Sequence, residues 1–414
     1  MINKNTADVI VIGSGVAGLS VAMEFRKRGL SVRVFERQFL ASGATSRAAG
    51  LIGQMRSNAD AIRLIQDSLR IIREVEARTG MRILHETGSV RIAQTPDRAK
   101  ELEIDIAIAR ASGLKVDTID THALEQRMPY MRVDDVLLAS LCPTDCYLEP
   151  PALAQGYIAV GRELGVEYHE HEPVNALCVD AGQVTGVTTA NATYNAPIVI
   201  NAGGPWAELV AHYAEQTLPT AGIKHFYFTT LPESGIAIDE NSPSLRDREN
   251  RIYARPRNGC LRVGIYEAMP INVDMRALPA DFSMQSVTAG LDHPTSRALL
   301  DSAVRRFPGI TPATPMDIRG GIMAFTPDGA PLIGEIPGLS GFYHCAGFCG
   351  HGVSQSAAMG PAMADIILHG TCPYDVALIA ADRFADWPDL HDRHAVARNC
   401  AQVYANYYGK AATQ

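Results

Sequence analysis

The first 36 residues combine two short apolar runs with one helical pattern. Val9–Ile12 is wholly apolar and β-branched, which predicts a parallel strand buried on both faces. Residues 19–28 carry apolar side chains at helical spacing and are followed by Gly29, and residues 31–35 predict a second strand. The pattern therefore predicts a β–α–β unit at the amino terminus.

The middle of the chain contains both amphipathic helices and β-type runs. Residues 60–79 and 96–111 place apolar side chains at i, i+3 and i+4, which predicts two helices. Three runs of β-type composition cover residues 224–231, 251–255 and 260–266. The segment Pro256-Arg257-Asn258-Gly259 between the last two predicts a hairpin turn. We therefore expect an antiparallel sheet in this half of the chain.

A second strand–turn–helix unit lies near the carboxyl terminus. Residues 342–346 predict a strand, 347–352 a glycine-rich turn and 353–368 an apolar-periodic helix. The free N–H groups at the start of such a helix can point at an anionic group. This turn is therefore a second candidate binding segment.

The turn after the first strand fits the pattern G-x-G-x-x-G. Gly13 permits a tight turn, Gly15 lets the backbone approach a pyrophosphate, and Gly18 allows close packing of helix and strand. The amino terminus of the following helix favours phosphates. Glu36, after the second strand, can accept hydrogen bonds from a ribose diol and disfavours a 2′-phosphate. These features predict a site for FAD or NAD; the alternative is a glycine-rich turn without a ligand.

Composition and charge limit the classes of protein that fit. A chain of 414 residues with 47% hydrophobic and 20% charged residues is typical of a folded protein of about two domains. A net charge of −8 disfavours nucleic-acid binding. Eight cysteines are too sparse for a disulfide scaffold and lack matching histidines for a metal site, so we expect reduced thiols and no metal. No apolar run is long enough to span a bilayer, and we expect a cytoplasmic protein.

Residues 42–52 distinguish FAD from NAD. This run consists mainly of small and hydroxyl-bearing residues. Such a loop can wrap a second extended phosphate–ribityl chain, which FAD has and NAD lacks. The alternative is a flexible linker. The run therefore favours FAD as the cofactor.

At this point the sequence resembles the D-amino-acid oxidase superfamily of FAD enzymes, which includes glycine, sarcosine and dimethylglycine oxidases or dehydrogenases. The series of matching motifs is specific to the superfamily but much less specific to one substrate. Besides the amino-terminal motif and the loop at 43–52, the series comprises Tyr147-Leu148-Glu149-Pro150, Glu172-Pro173-Val174, residues 198–206, Thr326-Pro327-Asp328-Gly329, Ile333-Gly334 and residues 341–352.

The resemblance implies an α/β fold. It consists of a Rossmann-like FAD-binding domain of the glutathione-reductase type, interleaved with an antiparallel-sheet α+β substrate domain. We expect the FAD domain at residues 1–85, 145–215 and 315–370, the substrate domain at 86–144 and 216–314, and a carboxyl-terminal extension at 371–414. The extension, with Tyr404-Ala405-Asn406-Tyr407-Tyr408, looks like the dimethylglycine-dehydrogenase side of the family.

The same resemblance implies a set of cofactor-binding residues. We expect FAD to be bound by Gly13, Gly15, Val16, Ala17, Gly18, Glu36, Arg37, Gly43, Ala44, Thr45, Ser46, Arg47, Gly50, Leu51, Ile52, Val174, Ala202, Gly203, Trp206, Gly321, Gly350, His351, Gly352, Val353 and Ser354. Some relatives attach flavin to a histidine or a cysteine. The corresponding positions here are Arg47 and Gly321, so we expect noncovalent FAD.

Substrate-binding residues are harder to assign from the resemblance. Relatives use an arginine or a lysine to hold the substrate carboxylate at positions that are Met323 and Ser354 here. A different cation must serve. The candidates for substrate contact are Arg56, Tyr253, Arg319 and His351, with Arg255, Arg257, Lys224, His225 and Tyr227 as further neighbours. Taken alone, His351 is more typical of a polar residue held in a turn.

Three functions remain open at this point. The first is oxidation of an N-substituted glycine or similar secondary amino acid, with hydride transfer to the flavin and hydrolysis of the imine. The second is deamination of a D-amino acid or of glycine. The third is the flavin subunit of a hetero-oligomeric dehydrogenase. Each implies a small-molecule amine substrate, and none fixes the electron acceptor or whether the chain forms a homo-oligomer.

Overall fold

The computed structural model describes residues 5–278 and 293–407. Most of the described chain lies in strands and helices. The strands are β1 Val9–Ile12, β2 Val32–Phe35, β3 Leu51–Ile52, β4 Leu84–His85, β5 Ser89–Ala93, β6 Asp117–Ile119, β7 Leu138–Cys142, β8 Cys146–Leu148, β9 Glu167–His169, β10 Ala176–Asp180, β11 Gln183–Thr188, β12 Thr193–Asn195, β13 Ile198–Asn201, β14 Ala221–Thr230, β15 Ser244–Asp247, β16 Ile252–Arg257, β17 Cys260–Ile265, β18 Asn272–Val273, β19 Met316–Phe325, β20 Leu332–Glu335 and β21 Phe342–Ala346.

The described residues form nine α-helices, and some of them begin or end at typical capping residues. They are α1 Val16–Lys27, α2 Ala59–Thr79, α3 Pro96–Ala111, α4 Thr121–Arg127, α5 Pro150–Leu164, α6 Ala207–Ala211, α7 Pro294–Arg306, α8 Gly352–His369 and α9 Arg393–Asn406. At the start of α2 the side chain of Asn58 accepts a hydrogen bond from the N–H of Ala61, and Gly80 ends the helix with a φ of +71°. Before α3, Thr95 caps the helix and Pro96 occupies its first turn.

A six-stranded sheet forms the first layer of the fold. Its strand order is β20-β21-β13-β1-β2-β9, and every pair is parallel except β20 with β21. Helices α1, α5 and α8 bury one face of this sheet, and the small sheet β10-β11-β12 lies against the other face. Because both faces are covered, β1 is apolar at all four positions, as the sequence predicts.

A nine-stranded sheet forms the second part. Its order is β18-β14-β17-β16-β15-β5-β7-β6, with β19 paired to the other side of β14. Strands β16 and β17 form the predicted hairpin, and Asn258 and Gly259 at its turn have φ values of +51° and +74°. One pair departs from the antiparallel expectation, because β15 runs parallel to β5.

The predicted fold class is confirmed, and the six-stranded sheet draws its strands from separated stretches of the chain. The domain boundaries given above remain a prediction. Within the carboxyl-terminal extension, α9 packs against β14 and β19, so Tyr404 is fully buried there, whereas Tyr408 lies outside the described residues. None of the described helices combines the length and apolarity that crossing a membrane requires.

Candidate functional site

A cavity of about 560 Å³ is lined by residues from both large sheets. We divide its lining into two parts. The nucleotide part comprises Gly13, Ser14, Gly15, Val16, Glu36, Arg37, Thr45, Val174 and Trp206. The aromatic part comprises His225, Arg246, Tyr253, Tyr266, His351 and Tyr407. Within the described ranges, Glu36 is the only acidic side chain in the lining.

Close backbone contacts shape the nucleotide part. Gly13 has a φ of +101°, and a Cβ there would lie 2.5 Å from the carbonyl oxygen of Ala202. A Cβ at Gly18 would lie 2.1 Å from the carbonyl oxygen of Gly13, so this glycine allows the helix to pack on the strand. The N–H of Val16 donates to the Oγ1 of Thr45 at 3.1 Å, which ties the start of α1 to the second loop.

Two charged side chains complete the nucleotide part. The carboxylate of Glu36 accepts hydrogen bonds from the N–H and the hydroxyl of Ser14, at 3.1 and 2.7 Å. It also accepts one from the N–H of Gln38 at 3.0 Å. These donors fix the carboxylate beside the glycine turn. The guanidinium of Arg37 lies 4.0 Å from the ring centroid of Trp206, and burial lowers the Arg37 pKa.

The second glycine-rich turn brings backbone to the cavity at the start of α8. Gly350 has a φ of +80°, and a Cβ there would lie 2.9 Å from the Sδ of Met323. His351 precedes the first residue of α8, and its N–H donates to the carbonyl of Phe348 at 2.8 Å. Gly352, Val353 and Ser354 line the cavity beside this helix terminus. The turn therefore presents backbone rather than bulky side chains.

Hydrogen-bonded rings form the aromatic part. His225 Nε2 lies 2.7 Å from the hydroxyl of Tyr253, and His351 Nε2 lies 2.7 Å from the hydroxyl of Tyr407. The Tyr266 and Tyr407 rings stack with centroids 4.4 Å apart. Burial lowers the pKa of both histidines to about 3, and the positive charges of nearby arginines contribute at His351. Both imidazoles are therefore neutral at physiological pH.

Arginines give the aromatic part a positive potential. Arg246 lines the cavity from β15, and the positive charge of Arg56, which does not line it, also acts on His351. Burial alone would raise the pKa of Tyr407, but the positive charges of Arg246 and Arg56 hold it below its usual value. Arg91 contributes to the same field; burial, followed by repulsion from Arg246, lowers its pKa to about 10. An anionic group would be attracted to this part of the cavity.

The structure brings most of the predicted cofactor residues together. Those that line the cavity are Gly13, Gly15, Val16, Ala17, Glu36, Arg37, Gly43, Ala44, Thr45, Arg47, Gly50, Leu51, Val174, Ala202, Gly203, Trp206, Gly321, Gly350, His351, Gly352, Val353 and Ser354. Gly18, Ser46 and Ile52 do not line it. Ser46 donates its hydroxyl to the carbonyls of Ser42 and Gly43, and Ile52 is buried in the core.

The predicted substrate residues divide differently. Tyr253 and His351 line the cavity, whereas Arg56 and Arg319 do not. Arg56 donates to the carbonyl of Met55 at 2.9 Å. Arg319 is exposed on β19, where its Nε lies 2.5 Å from Asp317, so we do not retain it as a substrate residue.

The further arginine candidates also lie outside the lining. Arg255 is buried, and its Nη2 lies 2.7 Å from the Oε1 of Glu149. Arg257 lies 3.5 Å from the Oε2 of the same carboxylate. These arginines therefore hold the segment that begins α5 rather than facing the cavity.

Sequence reasoning missed Arg246, Tyr266 and Tyr407, which line the aromatic part. Arg246 occupies a four-residue strand that pairs with β5, more than 150 positions earlier, and no local motif indicates that pairing. All eight cysteines are free thiols and most are buried, as expected. The described residues contain no group of three or more side chains arranged to hold a metal ion.

A family model described as DAO, FAD dependent oxidoreductase, matches residues 8–366 of the chain. The chain belongs to this family. The family is one of FAD-dependent oxidoreductases, so the resemblance stated from the motifs is confirmed. The dimethylglycine dehydrogenase of Rattus norvegicus is 27% identical over 404 residues, which are 95% of this chain and 47% of that protein. The human sarcosine dehydrogenase is 29% identical over 97% of this chain and 44% of its own length.

This chain therefore spans less than half of either relative. Among solved structures, L-proline dehydrogenase from P. horikoshii superposes with a TM-score of 0.83 at 24% identity. The match covers 92% of this chain and 98% of that one. At that identity the likeness establishes the fold of this FAD-dependent oxidoreductase and not its substrate.

The cavity fits FAD. The glycine turn before α1 leaves room for a pyrophosphate at a helix amino terminus. The Glu36 carboxylate lies beside this turn, where it can accept hydrogen bonds from a ribose diol. The second loop, with Gly43, Ala44 and Thr45, lines the same cavity. The turn at the start of α8 offers a second helix amino terminus for the flavin ring.

Proposed function

We propose that this flavoenzyme oxidises the C–N bond of an N-substituted glycine or a similar secondary amino acid, such as sarcosine, dimethylglycine or iminodiacetate. The single observation that carries the proposal is that Arg246 lines the aromatic part of the FAD cavity, where the other side chains are aromatic rings and none is acidic. Such a surface suits a substrate with one carboxylate and a small apolar amine. The two curated relatives act, by their names, on substrates of this kind.

Arg246 is proposed to bind the substrate carboxylate, because its planar guanidinium can donate two parallel hydrogen bonds to it. Neutral His225 and Tyr253 would face the amine, and the tyrosine rings would exclude water around it. When bound, FAD would supply the acceptor for the hydride that leaves the carbon next to nitrogen, and water would hydrolyse the oxidised substrate to an aldehyde or an oxo acid such as glyoxylate.

The flavin is proposed to be held without a covalent bond. Arg47 lines the cavity at the loop position where a histidine would be needed, and Gly321 lies on β19 opposite His225. Neither residue can form the covalent link that some relatives form at these positions. Acid precipitation should leave the yellow chromophore in the supernatant, and its retention in the protein pellet would contradict this proposal.

The substrate proposal is tested by identifying the products. Incubation with sarcosine, dimethylglycine, iminodiacetate, glycine and D-alanine, followed by assays for glyoxylate, formaldehyde and ammonia, separates the alternatives. An oxo acid or an aldehyde with a released amine supports oxidation of N-substituted amino acids. Ammonia from a primary amino acid would instead support the deaminating alternative.

The third alternative concerns partners. Activity that appears only after a second subunit is added would identify the chain as the flavin subunit of a hetero-oligomeric dehydrogenase. The cytoplasmic location also remains a proposal, supported by eight free thiols; the two curated relatives are mitochondrial. Fractionation of cells that express the complete protein tests it.

A further inference from the structure

Four hydrogen-bonded side chains form a proton pathway that begins in the aromatic part and ends at the carboxyl group of Glu267. The proposed function does not use this carboxyl group. Tyr253 Oη lies 2.7 Å from His225 Nε2, and His225 Nδ1 lies 2.8 Å from Tyr404 Oη. The hydroxyl of Tyr404 donates to the Oε2 of Glu267. Tyr253 and His225 line the cavity, whereas Tyr404 and Glu267 are buried behind it.

Glu267 lies in an environment that disfavours its charged form. The residue is 7% exposed, and its Oε1 has no hydrogen-bond partner among the described residues. Burial raises the Glu267 pKa to about 7, although the hydrogen bond from Tyr404 and the positive charge of Arg251 both lower it. A buried carboxyl group of this kind can gain or lose a proton near neutral pH.

Several elements contribute the groups around this carboxyl. Arg251, just before β16, donates to the carbonyls of Tyr266 and Ala405. Tyr404 comes from α9, and burial together with the charge of Glu267 raises its pKa well above the usual value. Tyr404 is thus a neutral hydroxyl that passes a proton on and does not hold a charge.

We propose that Glu267 accepts, through Tyr404, His225 and Tyr253, the proton that the substrate amine loses before oxidation. The inference rests on the proposed function, because the carbon next to an ammonium nitrogen cannot release hydride until that nitrogen has lost its proton. Glu267 and Tyr404 do not touch the cavity, so they are positioning residues that act through Tyr253.

The proton steps balance without a net change on the intermediate groups. Initially the Tyr253 hydroxyl donates to His225 Nε2, His225 Nδ1–H donates to Tyr404, and Tyr404 donates to the Glu267 carboxylate. When the ammonium gives a proton to Tyr253, each group passes its own proton along. Glu267 becomes neutral, and His225 changes from one neutral tautomer to the other. Burial lowers the pKa of His225 to about 3, which agrees with an imidazole that stays neutral and never carries protons on both ring nitrogens.

The sign of the pH dependence follows from the state of Glu267. Above a pH of about 7 the carboxyl is ionised and can accept the proton. Below that pH it is already protonated, and the chain cannot take another proton. The rate of flavin reduction should therefore rise as pH increases through about 7. In Glu267→Gln this step should be absent, and the plateau rate at high pH should fall at least about tenfold.

Infrared difference spectroscopy observes the carboxyl group directly. In the FAD-loaded wild type, a protonated-carboxyl band should grow as pH falls through about 7, and Glu267→Gln should lack it. At higher pH, anaerobic reduction by sarcosine or dimethylglycine should produce the same band. Tyr404→Phe should lose the band on reduction, because it removes one hydroxyl from the chain. Tyr157→Phe is the matched control, because Tyr157 is a fully buried tyrosine of α5 that does not belong to the proton pathway. This variant should keep the carboxyl band.

The outcomes separate this inference from the proposed function. Suppose that an amine bleaches the flavin but the wild type shows no carboxyl band, or that Glu267→Gln keeps the band. Either result overturns the role of Glu267 and leaves the proposed function standing. An unchanged pH profile in both Glu267→Gln and Tyr404→Phe does the same. A flavin that none of the tested amines bleaches contradicts the proposed function, and the proton chain falls with it.

Discussion

In the nucleotide part of the cavity the functional groups are mostly backbone atoms held in place by glycines. In the aromatic part they are side chains from distant strands, from the turn before α8 and from Tyr407, which follows α9. Much of the first part comes from local segments in which a strand is followed by a turn or a loop. The second is assembled by sheet pairing over long sequence separations. The comparison indicates that cofactor binding and substrate binding can be altered separately.

The largest effect is expected from Gly13→Ala. The new Cβ would lie 2.5 Å from the carbonyl oxygen of Ala202, at a φ of +101°, so the turn must move and the pyrophosphate site with it. We expect almost no FAD in the purified protein, measured as the flavin-to-protein absorbance ratio. Gly80→Ala is the matched control, because Gly80 also has positive φ but no atom within 4 Å of its Cβ. That variant should lose about 1 kcal/mol of stability and keep its FAD. Full FAD content in Gly13→Ala would contradict the assignment of this turn.

A smaller and more selective effect is expected from Arg246→Met. Loss of a charge-assisted pair with the substrate carboxylate should raise KM and lower kcat/KM about 10- to 150-fold. FAD content should stay the same, since Arg246 belongs to the aromatic part. Arg319→Met removes an exposed arginine outside the cavity lining and should change kcat/KM less than about twofold. If Arg246→Met and Arg319→Met change kcat/KM equally in steady-state assays, Arg246 does not bind the substrate carboxylate.

The smallest effect is expected from Trp206→Leu. It removes the contact between the Arg37 guanidinium and the indole ring, 4.0 Å apart, in the nucleotide part. Such contacts contribute about 0.5–1 kcal/mol. Because Arg37 and Trp206 both line the nucleotide part, the substitution releases the Arg37 side chain from its position in that lining, and FAD affinity should fall about two- to fivefold. Fluorescence titration of the apoprotein with FAD measures it. The KM for the amine should not change, and a change in KM without one in FAD affinity would break the division into two parts.

Much of the nucleotide part could be predicted from the sequence. The glycines, Thr45 and Glu36 follow one another along β1, α1, β2 and the next loop, where short-range geometry determines their positions. Gly18 and Ser46 show the limit of that reasoning, since a motif position can serve packing or a local turn and leave the cavity.

The aromatic part could not be predicted in the same way. Arg246 reaches the cavity because β15 pairs with β5 and β16, and Tyr407 reaches it because α9, which it follows, packs against β14. Nothing local to these residues marks them. Arg56 is a candidate from its place after the FAD loop, but it does not line the cavity. Tyr253 and His351 could be predicted because they lie within recognisable segments, the β-type run at 251–255 and the glycine-rich turn at 347–352.

The central claim is that one cavity holds FAD in its nucleotide part and an N-substituted amino acid in its aromatic part. The most direct test is the visible absorbance of the purified protein before and after anaerobic addition of sarcosine, dimethylglycine and iminodiacetate. The account predicts a flavin spectrum that at least one of these amines bleaches and that returns when an electron acceptor is supplied. A protein that carries no flavin, or a flavin spectrum that none of these amines changes, would contradict it.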